Sequence, residues 1–105
     1  MRRLSITSVG VLQSIANGHG YGFDIIEATG LPSGTVYPAL SRLERDGLVG
    51  SSWEDERAAH GEGRPARRYY RLTAHGVRAL EEARSFYETL LPASLTRRSP
   101  ARGRA

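Results

Sequence analysis

Apolar residues recur along this chain with two different periods, and the switches between them mark its elements. Ile6, Val9, Leu12, Ile15 and Ala16 fall on one face at helical spacing. With Ser5 placed to cap and Asn17-Gly18 to stop, they predict a helix over about Ser5–Asn17. After Gly18-His19-Gly20, the residues Tyr21, Ile25 and Ala28, flanked by Phe23 and Ile26, predict a short helix over Tyr21–Thr29 that Gly30 closes. Leu31-Pro32-Ser33-Gly34 reads as a turn, with Ser33 the expected cap of a third helix that runs to about Asp46 and ends at Gly47. Val36, Leu40 and Leu43 form its apolar stripe. Pro38 lies one turn inside and removes the backbone bond to Gly34, which predicts a loosened or 3₁₀-like first turn rather than a break.

The period then changes to two. Leu48–Glu56 reads as a strand with Val49, Ser51 and Trp53 on one face. Ala66–Leu72 reads as a second, in which Arg68, Tyr70 and Leu72 alternate with Arg67, Tyr69 and Arg71. The nine residues 57–65 between them are polar, Gly- and Pro-bearing, and are expected to be the loop of a long-tipped hairpin. Thr73 caps a last helix to about Leu91, stopped by Pro92. Its stripe of Val77, Leu80, Ala83, Tyr87, Leu90 and Leu91, with Phe86 alongside, is wider than one small core needs.

At 105 residues there is room for one core. The pattern divides the chain into an α-α-α-β-β unit over residues 1–72, a C-terminal helix over 73–91, and a Ser-, Pro-, Gly- and Arg-rich tail over 92–105 that is expected to be disordered. There is no cysteine, which excludes disulfides, thiolate metal sites and cysteine nucleophiles. Met1-Arg2-Arg3 ahead of mildly apolar residues imitates a signal peptide, but Ser5, Thr7, Ser8 and Gln13 interrupt any apolar core. No run is long enough to span a bilayer, so no membrane contact and a cytoplasmic location are expected.

The net charge of +4 changes the picture only once it is placed. Eleven acidic and eleven basic residues cancel over residues 1–91, and the surplus sits in Arg97, Arg98, Arg102 and Arg104. Local clustering therefore has to carry any argument for a polyanionic partner. One cluster qualifies: between Arg57 and Arg71 there are five arginines and one acid, Glu62.

Helix, helix, tight turn, helix and hairpin is the order of a winged helix-turn-helix, mainly α with a small β-hairpin. In that fold the third helix can lie in the DNA major groove. With Val36, Leu40 and Leu43 turned inward, the opposite face presents Ser33, Thr35, Ser41, Arg42 and Arg45, with Tyr37 beside it. Arginine forks onto guanine, and hydroxyls suit phosphates or base edges. Ser33, Thr35, Tyr37 and Arg42 are the expected contacts on the helix, Thr35 and Arg42 foremost; Arg45, next to Glu44, serves equally well as a solvated ion-pair residue. In the wing, Arg64 on a Gly-rich tip and the flanking Arg67 and Arg68 suit a minor groove or phosphates.

The segment Val36-Tyr37-Pro38-Ala39-Leu40-Ser41-Arg42-Leu43-Glu44-Arg45-Asp46-Gly47-Leu48-Val49 resembles the signature of PadR-type transcriptional regulators. The likeness continues at Tyr21-Gly22, at Trp53, and at Arg68-Tyr69-Tyr70-Arg71-Leu72-Thr73 with Gly76 and Leu80, and covers roughly residues 4–82. It implies a homodimer built by the C-terminal helix, here through Val77, Leu80, Ala83, Phe86, Tyr87 and Leu90, which binds two-fold double-stranded DNA, usually as a repressor. It also implies release by a small aromatic effector in many relatives. Val36 stands where the family has Leu, and the chain has a single helix after the wing where larger relatives carry a further effector-associated domain.

Two rival readings stand beside this one. His19, His60 and His75 are scattered without metal spacing or a nucleophile partner, and Gly18-His19-Gly20-Tyr21-Gly22 follows a helix rather than a strand. An enzyme is therefore not expected, nor a metal or cofactor. The other reading is a winged helix that binds protein, which the electroneutral folded part leaves open. The two separate on whether Thr35, Arg42 and the wing arginines Arg64, Arg67 and Arg68 lie on one positive, exposed surface.

Overall fold

A computed structural model describes residues 3–91; the expected tail over 92–105 lies outside the described residues. Four helices and a hairpin follow the predicted order: α1 (Ile6–Ala16), α2 (Gly22–Thr29), α3 (Ser33–Arg45), β1 (Val49–Trp53), then β2 (Arg68–Leu72) and a last helix, Ala74–Leu90. One further helix, unforeseen, turns once inside the wing at Glu56–Gly61. In chain order it is α4, and the last helix is α5.

Local chemistry sets most boundaries. The Ser5 hydroxyl accepts the Ser8 N–H at the start of α1, and the Thr73 hydroxyl accepts that of Gly76 at the start of α5. Gly30 ends α2 in the left-handed region at φ 75°, a conformation that costs a side-chain-bearing residue more. Ser33 is the first residue of α3 rather than its cap; Pro32 holds the cap position and no side chain caps there. Pro38 leaves the helix unbroken. The Pro32 carbonyl accepts from both Thr35 N–H at 2.9 Å and Val36 N–H at 3.0 Å, a shared bond in a regular α-helical first turn rather than the loosened or 3₁₀-like turn expected.

α1 is the central pillar, packed against α2, α3, α5 and β2. Leu12, Ile25, Leu40, Leu43, Val11 and Val36 are its fully buried neighbours and members. The hairpin pairs Val49 with Leu72, Ser51 with Tyr70 and Trp53 with Arg68, so these six share one face. Its base enters the core through Val49, while its far end stands clear with Trp53 67 % exposed.

Within α5, Leu80 and Ala83 are only 6 % and 4 % exposed because they pack into the chain's own core. Tyr87 is likewise occupied, donating its hydroxyl to the Leu4 carbonyl at 2.6 Å. The margins of the stripe stay open: Val77 and Leu90 are 43 % and 60 % exposed, and Phe86 is half-buried.

Candidate nucleic-acid interface

The 3.6-residue period of α3 sorts its side chains by direction. Val36, Ala39, Leu40 and Leu43 are buried, and the direction opposite to them carries Gly34, Pro38, Ser41 and Arg45, all exposed. Among the described residues Arg45 pairs only with Asp46, in a long 3.9 Å contact, and its side chain is exposed. Arg42 is exposed on one flank of this line, near Ser5 and Ser8 at the start of α1, and Thr35 lies half-buried on the same flank. Tyr37 occupies the other flank, toward the wing. Ser33 is exposed at the first turn. Periodicity counted from the buried stripe gives Arg45 the central outward position, a stronger placement than its neighbour Glu44 suggests.

A polar clamp sets the angle between helix and wing. Glu44 accepts from Arg68 Nη2 at 3.0 Å with one carboxylate oxygen and from the Ser51 hydroxyl at 2.7 Å with the other. Arg68 Nε closes the triangle onto Ser51 at 3.0 Å. α3 is thereby tied to both strands by charge-assisted bonds. Glu44 therefore belongs to the wing, not to Arg45.

The wing tip departs most from expectation. The expected loop contains α4, capped by the Asp55 carboxylate, and Arg64 is no free tip cation. Its guanidinium donates to both oxygens of Glu54, at 2.6 and 2.7 Å, and only a fifth of the side chain is exposed. Glu54 also accepts the Arg67 backbone N–H at 3.1 Å. The Arg64 hydrogen bond, supported by the Arg67 amide and both positive charges, holds the Glu54 carboxyl at about 2 against the partial opposition of burial. Arg64 thus braces the loop.

Arg67 and Arg68 remain at the surface, each against aromatic rings. The Arg67 guanidinium stacks 4.1 Å from the Tyr21 ring centre, and that of Arg68 lies 5.7 Å from both Trp53 and Tyr70. Tyr21 meets Tyr69 edge to face, and the Tyr70 N–H donates to Gly20 at 2.7 Å, which ties the approach to α2 onto β2. Between the start of α2 and the wing, with Tyr37 of α3 at its border, lies a groove of about 580 Å³ whose lining includes Phe23, Trp53, Tyr70, Arg67 and Arg68. Arg64 lines it too, so all three wing arginines open onto the space that Tyr37 of α3 borders. Among the described residues no His, Cys, Asp and Glu cluster could hold a metal, and no helix is long and apolar enough to cross a membrane.

Three helices with an exposed polar face on the third, followed by a hairpin clamped beside it, define a winged helix-turn-helix protein. Within that class, the chain belongs to the PadR-like family of transcriptional regulators, whose model matches residues 11–82. It is 47 % identical over 57 residues to the transcriptional regulator Rv3488 of Mycobacterium tuberculosis, a match covering 54 % of this chain and 48 % of that protein. The chain thus aligns with about half the length of this curated relative. Its fold is similar to that of a PadR-like transcription factor from Bacteroides fragilis, at TM-score 0.68 and 27 % identity over 81 % of this chain and 82 % of the other. A fold likeness at TM-score 0.69 and 22 % identity, over 94 % of this chain and 70 % of the other, links it to Bordetella bronchiseptica BpsR, whose DNA binding is regulated by 6-hydroxynicotinic acid.

Proposed function

We propose that this protein is a sequence-specific DNA-binding repressor that acts as a homodimer in the cytoplasm, with α3 in the major groove and the wing on the adjoining backbone. The observation that carries this reading is the outward face of α3, where Ser41, Arg42 and Arg45 are free of the core beside a wing held at a fixed angle by Glu44. Arg42 and Arg45 read base edges; Ser33, Thr35 and Tyr37 hold the strand at either flank. Arg67 and Arg68 meet phosphates, and Arg64 acts through the shape it gives the wing. Two protomers pair through the margins of the α5 stripe, Val77, Phe86 and Leu90, rather than through its buried centre. Control by a small aromatic effector belongs to the same reading.

Alanine substitution tests the readout. Arg42→Ala and Arg45→Ala should each cost about 1–3 kcal/mol on a preferred duplex and much less on random DNA, measured by fluorescence anisotropy at fixed salt. Equal losses on both duplexes would reduce these arginines to phosphate contacts and leave α3 without a reading role.

A further inference from the structure

An acidic side chain stands where a surface for a polyanion should have none. Glu44 directly precedes Arg45, the central outward residue of α3, and its carboxylate reaches across to Arg68 of β2 at 3.0 Å. A carboxylate beside the path of a phosphate backbone repels it, so charge counting makes Glu44 a handicap for DNA binding. The geometry points to the opposite sign.

A guanidinium offers two edges for two-point contact, and those of Arg68 are used differently. Its side edge is filled: Nε donates to the Ser51 hydroxyl at 3.0 Å and Nη2 to Glu44 at 3.0 Å. Ser51 donates in turn to the other Glu44 oxygen at 2.7 Å, so no member of the triangle can rotate without breaking a bond. The end edge, Nη1 with the outer N–H of Nη2, has no hydrogen-bond partner among the described residues. That edge can fork onto two oxygens of one phosphate. The side chain is 42 % exposed, on the hairpin face that Ser51 and Trp53 share. A mobile arginine loses its rotamer freedom when it meets a phosphate; Arg68 has lost it already on folding.

We infer that Glu44 and Ser51 are positioning residues for DNA: they grip Arg68 by its side edge so that its end edge meets a backbone phosphate, and the negative charge of Glu44 thereby raises DNA affinity. The inference rests on the DNA-binding reading above and goes beyond it by giving an acid a favourable sign. Because Glu44 adjoins Arg45, the same grip also fixes which phosphate Arg68 meets relative to the bases under Arg45.

Anisotropy titrations of the full chain at several salt concentrations test the sign, on a random-sequence duplex pool and on the preferred duplex selected from it. Glu44→Gln keeps the shape and removes the charge. It should bind both about tenfold more weakly, with the slope of log affinity against log salt reduced by about 0.9 for the one phosphate lost. Ser51→Ala should shift affinity the same way, and both proteins should match wild type in circular dichroism. In the Arg68→Ala background Glu44→Gln should instead tighten binding slightly, because only the repulsion is left to remove. Binding by Glu44→Gln as tight as wild type or tighter overturns the inference. So does a loss that persists in the Arg68→Ala background, or one with an unchanged salt slope, which marks a merely structural tie. A wild-type chain that binds neither duplex sinks the DNA reading itself, and this inference with it.

Discussion

Three glycines, Gly22, Gly50 and Gly76, sit against atoms that a methyl group would strike, and at Gly22 and Gly76 those atoms differ in kind. A Cβ on Gly76 would overlap the Leu48 carbonyl, which is backbone fixed between α3 and β1. Gly76→Ala should therefore destabilise the protein by roughly 1–3 kcal/mol or more, read as a lower urea midpoint. A Cβ on Gly22 would meet the Tyr37 ring, the far end of a side chain that can swing away. Gly22→Ala should barely move the urea midpoint yet lower affinity for DNA, because it displaces Tyr37 from the border of the groove. A stability loss at Gly22 comparable to that at Gly76 would mean that Tyr37 is held as firmly as backbone. Both glycines stand out in the sequence only through the family resemblance, since neither interrupts the periodicity around it.

The wing is where the elements depend on one carboxylate. Glu54 has its carboxyl lowered from 4.5 to about 2 by Arg64 first, so the folded wing favours the charged form. A depressed folded pKa stabilises above the unfolded value, and the contribution disappears as pH falls from near 4.5 through about 2. Trp53 lies next to Glu54, so its fluorescence should change across that window; Glu54→Gln should remove the acid-dependent part. A profile unchanged by the substitution would put the transition elsewhere. Helices α1, α3 and α5 were legible in the sequence because their stripes, caps and stops are all local. The wing was not. α4 has too few residues to show a period, and the Glu54–Arg64 pair joins residues ten apart across a bend that composition alone reads as open loop. For the same reason the sequence offers Arg64 as a tip cation, whereas Arg45 is placed on the outward face of α3 by periodicity alone.

At the scale of the whole molecule, the folded chain is electroneutral over residues 1–91, so attraction to DNA depends on where charge lies and not on its sum. Arg97, Arg98, Arg102 and Arg104 supply the surplus. Deleting residues 92–105 should weaken binding to all duplexes alike and reduce the slope of log affinity against log salt by about 0.9 for each phosphate no longer neutralised. The proposed pairing would give the width of the α5 stripe a role. Its centre, Leu80 and Ala83, closes the protomer, and its exposed margins are apolar beyond what one copy uses. A pair joined there would present two α3 helices to one face of DNA, about 34 Å apart. Selecting bound fragments from a random duplex pool with the full chain tests this most directly. The account predicts enrichment of a two-fold symmetric motif with half-site centres about one helical turn apart. A bound pool with no enriched motif, at a salt concentration where binding persists, would contradict it.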